Sequence, residues 1–174
     1  MRHTSTVDLV DFQTRLNASL DKMHSLGDLS SLLGFVSAGK YWLINLADLR
    51  EIDSVPMQEK VQRLALAKSW VLGISNFKGN IYTLVDFQMF LGQALTSGGM
   101  NARSLLVDSR YQVQMALVVG EVSGLVSAGD VKKVRGGGEW GWVEGQYETV
   151  DGKLWNMIDV GLLAADREMI NIAA

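Results

Sequence analysis

The chain has no cysteine, which excludes disulfides and thiolate metal sites and fits a reducing compartment. Its two histidines, His3 and His24, both lie near the N-terminus, with no carboxylate pattern around them. They read as surface side chains rather than metal ligands. Proline occurs once, at Pro56, and disfavours helix at Val55. There is no excess of positive charge. Charged residues are 20% and the net charge is −3, so nucleic acid has no electrostatic footprint here. No apolar run reaches the ~18 residues of a membrane-spanning helix. The first residues lack the uninterrupted apolar stretch of a signal peptide. A soluble, cytoplasmic chain without membrane insertion is expected. Catalytic motifs are missing too. Gly136-Gly137-Gly138 is not followed by the lysine of a phosphate loop, and Ser75 and Ser104 lack a nucleophile-elbow frame. Neither a cofactor nor an enzyme activity is expected.

What is present is apolar and strand-like. The 174 residues are 48% apolar, enough for one domain or for two small sub-barrels sharing a core. The organising stretch is Trp70 to Phe87. Its residues alternate as two strands around Lys78-Gly79-Asn80, where glycine supplies the positive φ of a hairpin turn. Asp86 ends the second strand and is placed to cap a short helix that stops at Gly92. Trp142 to Val160 repeats the pattern. Trp70, Gly73, Gly79 and Asp86 correspond to Trp142, Gly145, Gly152 and Asp159, with one extra residue in the middle gap. The expectation is one fold built from two related β halves. Asp86 and Asp159 then read as caps rather than as a catalytic pair, and Trp140 and Trp142 as core or loop anchors.

Around these copies the chain reads as follows. Residues 5–26 form an amphipathic helix with Leu9, Phe12, Leu16, Leu20 and Met23 on one stripe, stopped by Gly27. That helix either packs on the body or meets a partner. Leu32–Val36 and Tyr41–Leu46 are strands around a turn, and Ala47–Ile52 is a helical turn or an irregular edge. Met57–Ser69 is a connection that holds at most a short helix, and Ser97-Gly98-Gly99 marks a loop. Strands follow at Arg103–Asp108, Gln112–Val119 and Glu121–Ser127. Ala128–Glu139, rich in Lys, Arg and Gly, reads as a mobile surface loop. Gly161–Arg167 reads as a helix and Met169–Ile172 as a closing strand. Short strands with turn signals argue for barrels.

The run Trp70 to Phe87 resembles the signature of the CheW-like chemotaxis coupling family, in which a V-x-G is followed by N-L-R-G and then a closing x-D-L. Ala47–Ile52 is similar to that family's segment ending in V-x-E-I, and Val118–Val122 to its V-V-D-x-V strand. The helical extension, the tryptophan before the glycine and the ending Met169–Ala174 are most similar to the PilI subgroup of twitching-motility systems. The resemblance covers residues 31–174, with 1–30 as an N-terminal extension. It implies a mainly β fold of two intertwined five-stranded β-barrel subdomains, with an N-terminal helix and short connecting helices.

It also implies an adaptor. Such proteins couple a methyl-accepting chemoreceptor to a CheA-type histidine kinase and bind the kinase's regulatory domain. The receptor's cytoplasmic tip lies between the barrels. By this resemblance the chain associates with membrane-anchored receptor arrays and, in a PilI-like setting, acts on type IV pilus motility. The implied recognition residues are Leu49, Glu51, Gly73, Asn76, Phe77, Lys78, Gly79 and Leu125, with Leu105 or Leu125 near the kinase surface. Lys78 stands where the family has arginine, Phe77 where it has leucine, and Thr83 where it has proline. Lysine is a point charge where arginine offers a planar fork of donors. Glu51 is placed to pair with Lys78. Two other readings remain, a CheW-shaped scaffold that binds kinase but not receptor, and an enzyme or small-molecule sensor built on barrels.

Overall fold

The computed structural model describes residues 11, 13–18, 31–96 and 99–174. The helical positions 11 and 13–18 are α1. The strands are β1 (Ser31–Ser37), β2 (Lys40–Asn45), β3 (Leu49–Ser54), β4 (Val71–Phe77), β5 (Asn80–Asp86), β6 (Arg103–Val107), β7 (Met115–Val119), β8 (Glu121–Ser127), β9 (Val131–Gly136), β10 (Val143–Thr149) and β11 (Leu154–Ile158). Two short helices follow strands, α2 (Phe87–Phe90) and α3 (Val160–Ala164), and α4 (Arg167–Ile170) follows α3.

The strands form two sheets. One has the order β3-β6-β7-β5-β4 and the other β8-β1-β2-β11-β10-β9. The chain exchanges strands between them. β3 follows β2 but pairs with β6, and β8 follows β7 but pairs with β1. Each sheet holds one parallel pairing, β5 with β7 and β2 with β11. These parallel pairs join a later hairpin to an earlier one, and the exchanged strands β3 and β8 interlock the two sheets.

The repeat is real in three dimensions. β4–β5 and β10–β11 are antiparallel hairpins, each with a register shift just before its glycine. The Asp86 amide donates to the Trp70 carbonyl at 2.8 Å, and the Asp159 amide to the Trp142 carbonyl at 2.9 Å. Both carboxylates then accept helix N-terminal amides, from Met89 at 3.1 Å and from Leu162 at 3.0 Å. The matching glycines share a cause as well. A Cβ on Gly73 would lie 2.3 Å from the Gln62 carbonyl oxygen, and one on Gly145 would lie 2.6 Å from that of Arg135. In one half the crossing backbone is β9. In the other it is the single bridge of Gln62 to Ile74.

Three cores result. A shared core between the sheets holds Phe35, Trp42, Leu105, Leu117, Phe87 and Trp142 among others. Phe77, Tyr82, Leu84, Leu106, Ala116 and Val118 fill the five-stranded half, and Leu32, Leu43, Trp155 and Met157 the other. Trp142 stacks on both Trp42 and Trp140, so the tryptophans are anchors as expected.

Several expectations change. Residues 131–136 form the edge strand β9 rather than a loop, which makes the second sheet six-stranded. Its lysines and arginine face solvent while its backbone pairs with β10, so composition hid the ladder. Residues 49–54 are a true strand, β3, preceded by a 3-10 turn at Leu46–Asp48. Residues 167–170 are helix rather than strand, because Asp166 caps the amides of Glu168 and Met169. The closing β contact comes later, where Ala173 bridges Ala67. β7 starts at Met115, since Gln112 takes a left-handed conformation after a 3-10 turn. Positions Leu9, Phe12, Leu20, Met23, Gly27, Ser97 and Gly98 lie outside the described residues, as do both histidines.

Gly73→Ala is expected to lower stability by roughly 3 kcal/mol or more, since a positive φ and a backbone clash add. Gly39→Ala, with positive φ but nothing near its Cβ, should cost only about 1–2 kcal/mol. Urea denaturation midpoints of the two variants compare these values directly.

Candidate recognition site

An exposed polar construction lies at the tip of β4–β5. Phe77 pairs with Asn80, so the loop is two residues, Lys78 and Gly79, with φ of 51° and 90°. Two positive φ values in succession make the turn whose twist matches paired strands. Asn76 steadies it by accepting the Gly79 amide at 2.8 Å. Lysine is an unusual choice for a left-handed position, and its ammonium reaches Glu51 on β3.

That contact spans the sheet. β3 and β4 are its two outer strands, so a side-chain contact between Glu51 and the β4–β5 tip requires the sheet to curl its edges towards each other. Side chains rather than a ladder link the edges there. The Lys78 side chain is 72% exposed and Glu51 only 16%. An ion pair this open to water contributes about 0–1 kcal/mol. Its value is in fixing where the charge points.

The approach to Glu51 is anchored separately. Asp48 ends the 3-10 turn before β3 and accepts from Tyr111 Oη and Arg110 Nη2. Arg110 also donates to the Ala47 carbonyl at 2.7 Å. Burial, with the hydrogen bond to Asp48, pushes the Tyr111 phenol up to about 12. Burial and the Glu144 carboxylate do the same for Tyr147. The Asp48 cluster carries no motif; its partners are 62 and 63 positions away.

The remaining implied residues divide. Phe77 is buried beneath the tip, and Gly73 is buried towards the base of β4. Leu49 and Leu105 are wholly buried in the shared core, so they pack rather than present a surface. Leu125 is 44% exposed on β8, an outer strand of the other sheet. Sequence reading passed over Ile81. It sits opposite Asn76, beside the tip, and is 47% exposed. Strand alternation was the signal, because Tyr82 and Leu84 take the inward face.

An apolar pocket of about 410 Å³ opens toward the other end of the same hairpin, lined by Val55, Met57, Val61, Leu72, Leu84 and Leu95. Its one acid, Asp86, accepts from the Thr96 amide at 2.9 Å and hydroxyl at 2.7 Å. That carboxylate is occupied as a structural acceptor. No helix among the described residues is long and apolar enough to cross a membrane.

Residues 31–168 match the family described as CheW-like domain. Protein PilI of Pseudomonas aeruginosa is 29% identical over 119 residues, which is 68% of this chain. The match spans 65% of that relative, just under two thirds of its length. The crystal structure of scaffolding protein TtCheW from Thermoanaerobacter tengcongensis aligns with a TM-score of 0.65 at 16% identity. The alignment covers 81% of this chain and 96% of that one. At such identity the likeness carries the fold.

Two outcomes follow from the geometry. Lys78→Asn keeps a residue tolerant of positive φ and should change the urea midpoint by less than about 1 kcal/mol in free energy. The raised phenols have a definite sign. Below their ordinary 10.0 their stabilisation is fully present, and it is lost as pH climbs towards about 12, because the unfolded chain ionises first. Urea titrations across that alkaline range should therefore show a shallower loss in Tyr111→Phe combined with Tyr147→Phe than in wild type.

Proposed function

The chain belongs to the CheW-like domain family, and from that premise we propose that it is a chemosensory adaptor. It joins the cytoplasmic tip of a methyl-accepting receptor to the regulatory domain of a CheA-type histidine kinase. It works by fitting proteins together rather than by making bonds. The likeness to PilI supports a place in a type IV pilus system. The proposed location is the cytoplasm, beside membrane-anchored receptor arrays.

The observation that carries this reading is the hairpin tip. Lys78 is held outward by Glu51 and by a two-residue turn, with Ile81 exposed beside it. A receptor helix with an apolar stripe and an acidic rim has both complements there. Kinase contact is assigned to the β8 face around Leu125, on the other sheet. The two partners then bind different halves of one stiff body, and modest interfaces add through linkage in an array. Receptor state reaches the kinase only if its states differ in free energy of contact.

The second reading is a scaffold that binds kinase but not receptor. The lysine at position 78 favours it, since a point charge gives less directional pairing than an arginine fork.

Binding of purified chain to a receptor-tip fragment and to a kinase regulatory domain tests the assignment. Lys78→Glu should weaken the receptor fragment about tenfold or more and leave kinase binding within twofold, while Leu125→Asp should do the reverse. Unchanged binding of both partners by both variants would sink the site assignment. Kinase binding without measurable receptor binding in wild type would favour the scaffold.

A further inference from the structure

Helix α1 lies upstream of the residues that match the family, yet it is built into the five-stranded sheet. β3 is an outer strand, so half of its backbone groups have no neighbouring strand. Asn17 supplies one. Its Nδ2 donates to the Ile52 carbonyl at 3.1 Å, and its Oδ1 accepts the Ile52 amide at 3.1 Å. One side chain thereby makes both bonds that a further strand would make at that residue. Gln13 Nε2 donates to the Asp53 carboxylate at 3.2 Å. Leu16 enters the shared core and is 2% exposed. Positions 13, 16 and 17 share one helix face, while Asp11 and Arg15 pair in the open.

The site just described is one residue away. Glu51 precedes Ile52, and the β3–β6 register shifts between Leu49 and Glu51. A bulge weakens the ladder locally, so the direction of Glu51 depends on where Ile52 is held. β6 holds it from within the sheet. Asn17 holds it from outside.

We propose that α1 is a working part of the recognition surface: Leu16 and Asn17 are positioning residues that seal the β3 edge and aim Glu51 at Lys78. The binding consequence rests on the adaptor reading; the sealing does not. The cap also refuses strand addition on β3 at Ile52.

The test uses the full chain with Asn17→Ala and, separately, Leu16→Ala. Amide exchange at Ile52 should accelerate at least tenfold in both, with Leu84 and Leu117 amides unchanged in Asn17→Ala. Asn17→Asp keeps the acceptor for the Ile52 amide but sets a second oxygen against the Ile52 carbonyl, so it should recover only part of that protection. Affinity for the receptor-tip fragment should fall at least fivefold in Asn17→Ala, with kinase-domain affinity unaltered and the melting temperature lowered by only a few degrees. Unchanged exchange at Ile52 in both alanine variants overturns the inference. Faster exchange with full receptor affinity overturns the aiming of Glu51. Equal loss of both partners assigns Asn17 to general stability and overturns it too. The exchange arm needs no partner, so it decides the sealing even if wild type fails to bind a receptor fragment.

Discussion

The two strands at the centre of the five-stranded sheet, β6 and β7, are buried on both faces, and much else in the molecule follows from that. Every residue of β6 and β7 is buried, with one face towards the shared core and the other towards the interior of its own half. Such strands have no surface on which to display polar groups. Their backbones must be satisfied within the ladder, because an unpaired amide there would have no water to turn to. Around β6 and β7, exposed groups gather at turn tips and outer strands. That is where Lys78, Ile81 and Leu125 are found.

The same constraint accounts for the exchange of strands between halves. A half made only of consecutive strands could be pulled away from its neighbour as a unit. Here β3 and β8 each leave the hairpin before them and complete the opposite sheet. Pulling the β1–β3 segment away from the β6–β8 segment would break the β3–β6 and β1–β8 ladders as well as expose the seam. The repeated aspartates do the local part of this work. Each ends a strand, turns the chain into a short helix, and ties back to a tryptophan carbonyl. The halves differ at the next position outward. β10 meets a full strand where β4 meets only the Gln62 bridge. An outer edge with one bridge is curled in and tied through Lys78 to Glu51.

Short-range signals were the ones readable in the sequence. The Trp70–Phe87 hairpin, its later copy and both caps depend on spacings within twenty residues, and all stand in the structure. β9 was hidden because its side chains carry loop composition while its ladder to β10 carries the structure. The apolar Met169 and Ile170 suggest a strand, but Asp166 decides for helix α4 through its cap. Within the site, the pairing of Lys78 with Glu51 followed from two motifs far apart in sequence. The burial of Leu49 and Leu105 did not, since an apolar residue reads alike in a core and on a contact surface. Asn17 was invisible for a further reason. An asparagine on a helix carries no sign that its amide stands in for a missing strand.

One feature of the seam has an optical consequence. Trp42 belongs to the first hairpin, and Trp140 and Trp142 precede the last, yet the ring centroids of Trp42–Trp142 and Trp140–Trp142 lie 5.7 and 5.4 Å apart. Indoles stacked so closely share their excitation and acquire a coupled ultraviolet circular-dichroism band that separated indoles lack. The chain thus carries its own chromophore at the joint between its beginning and its end. Light absorbed there reports whether β11 has come home beside β2, without any label being attached.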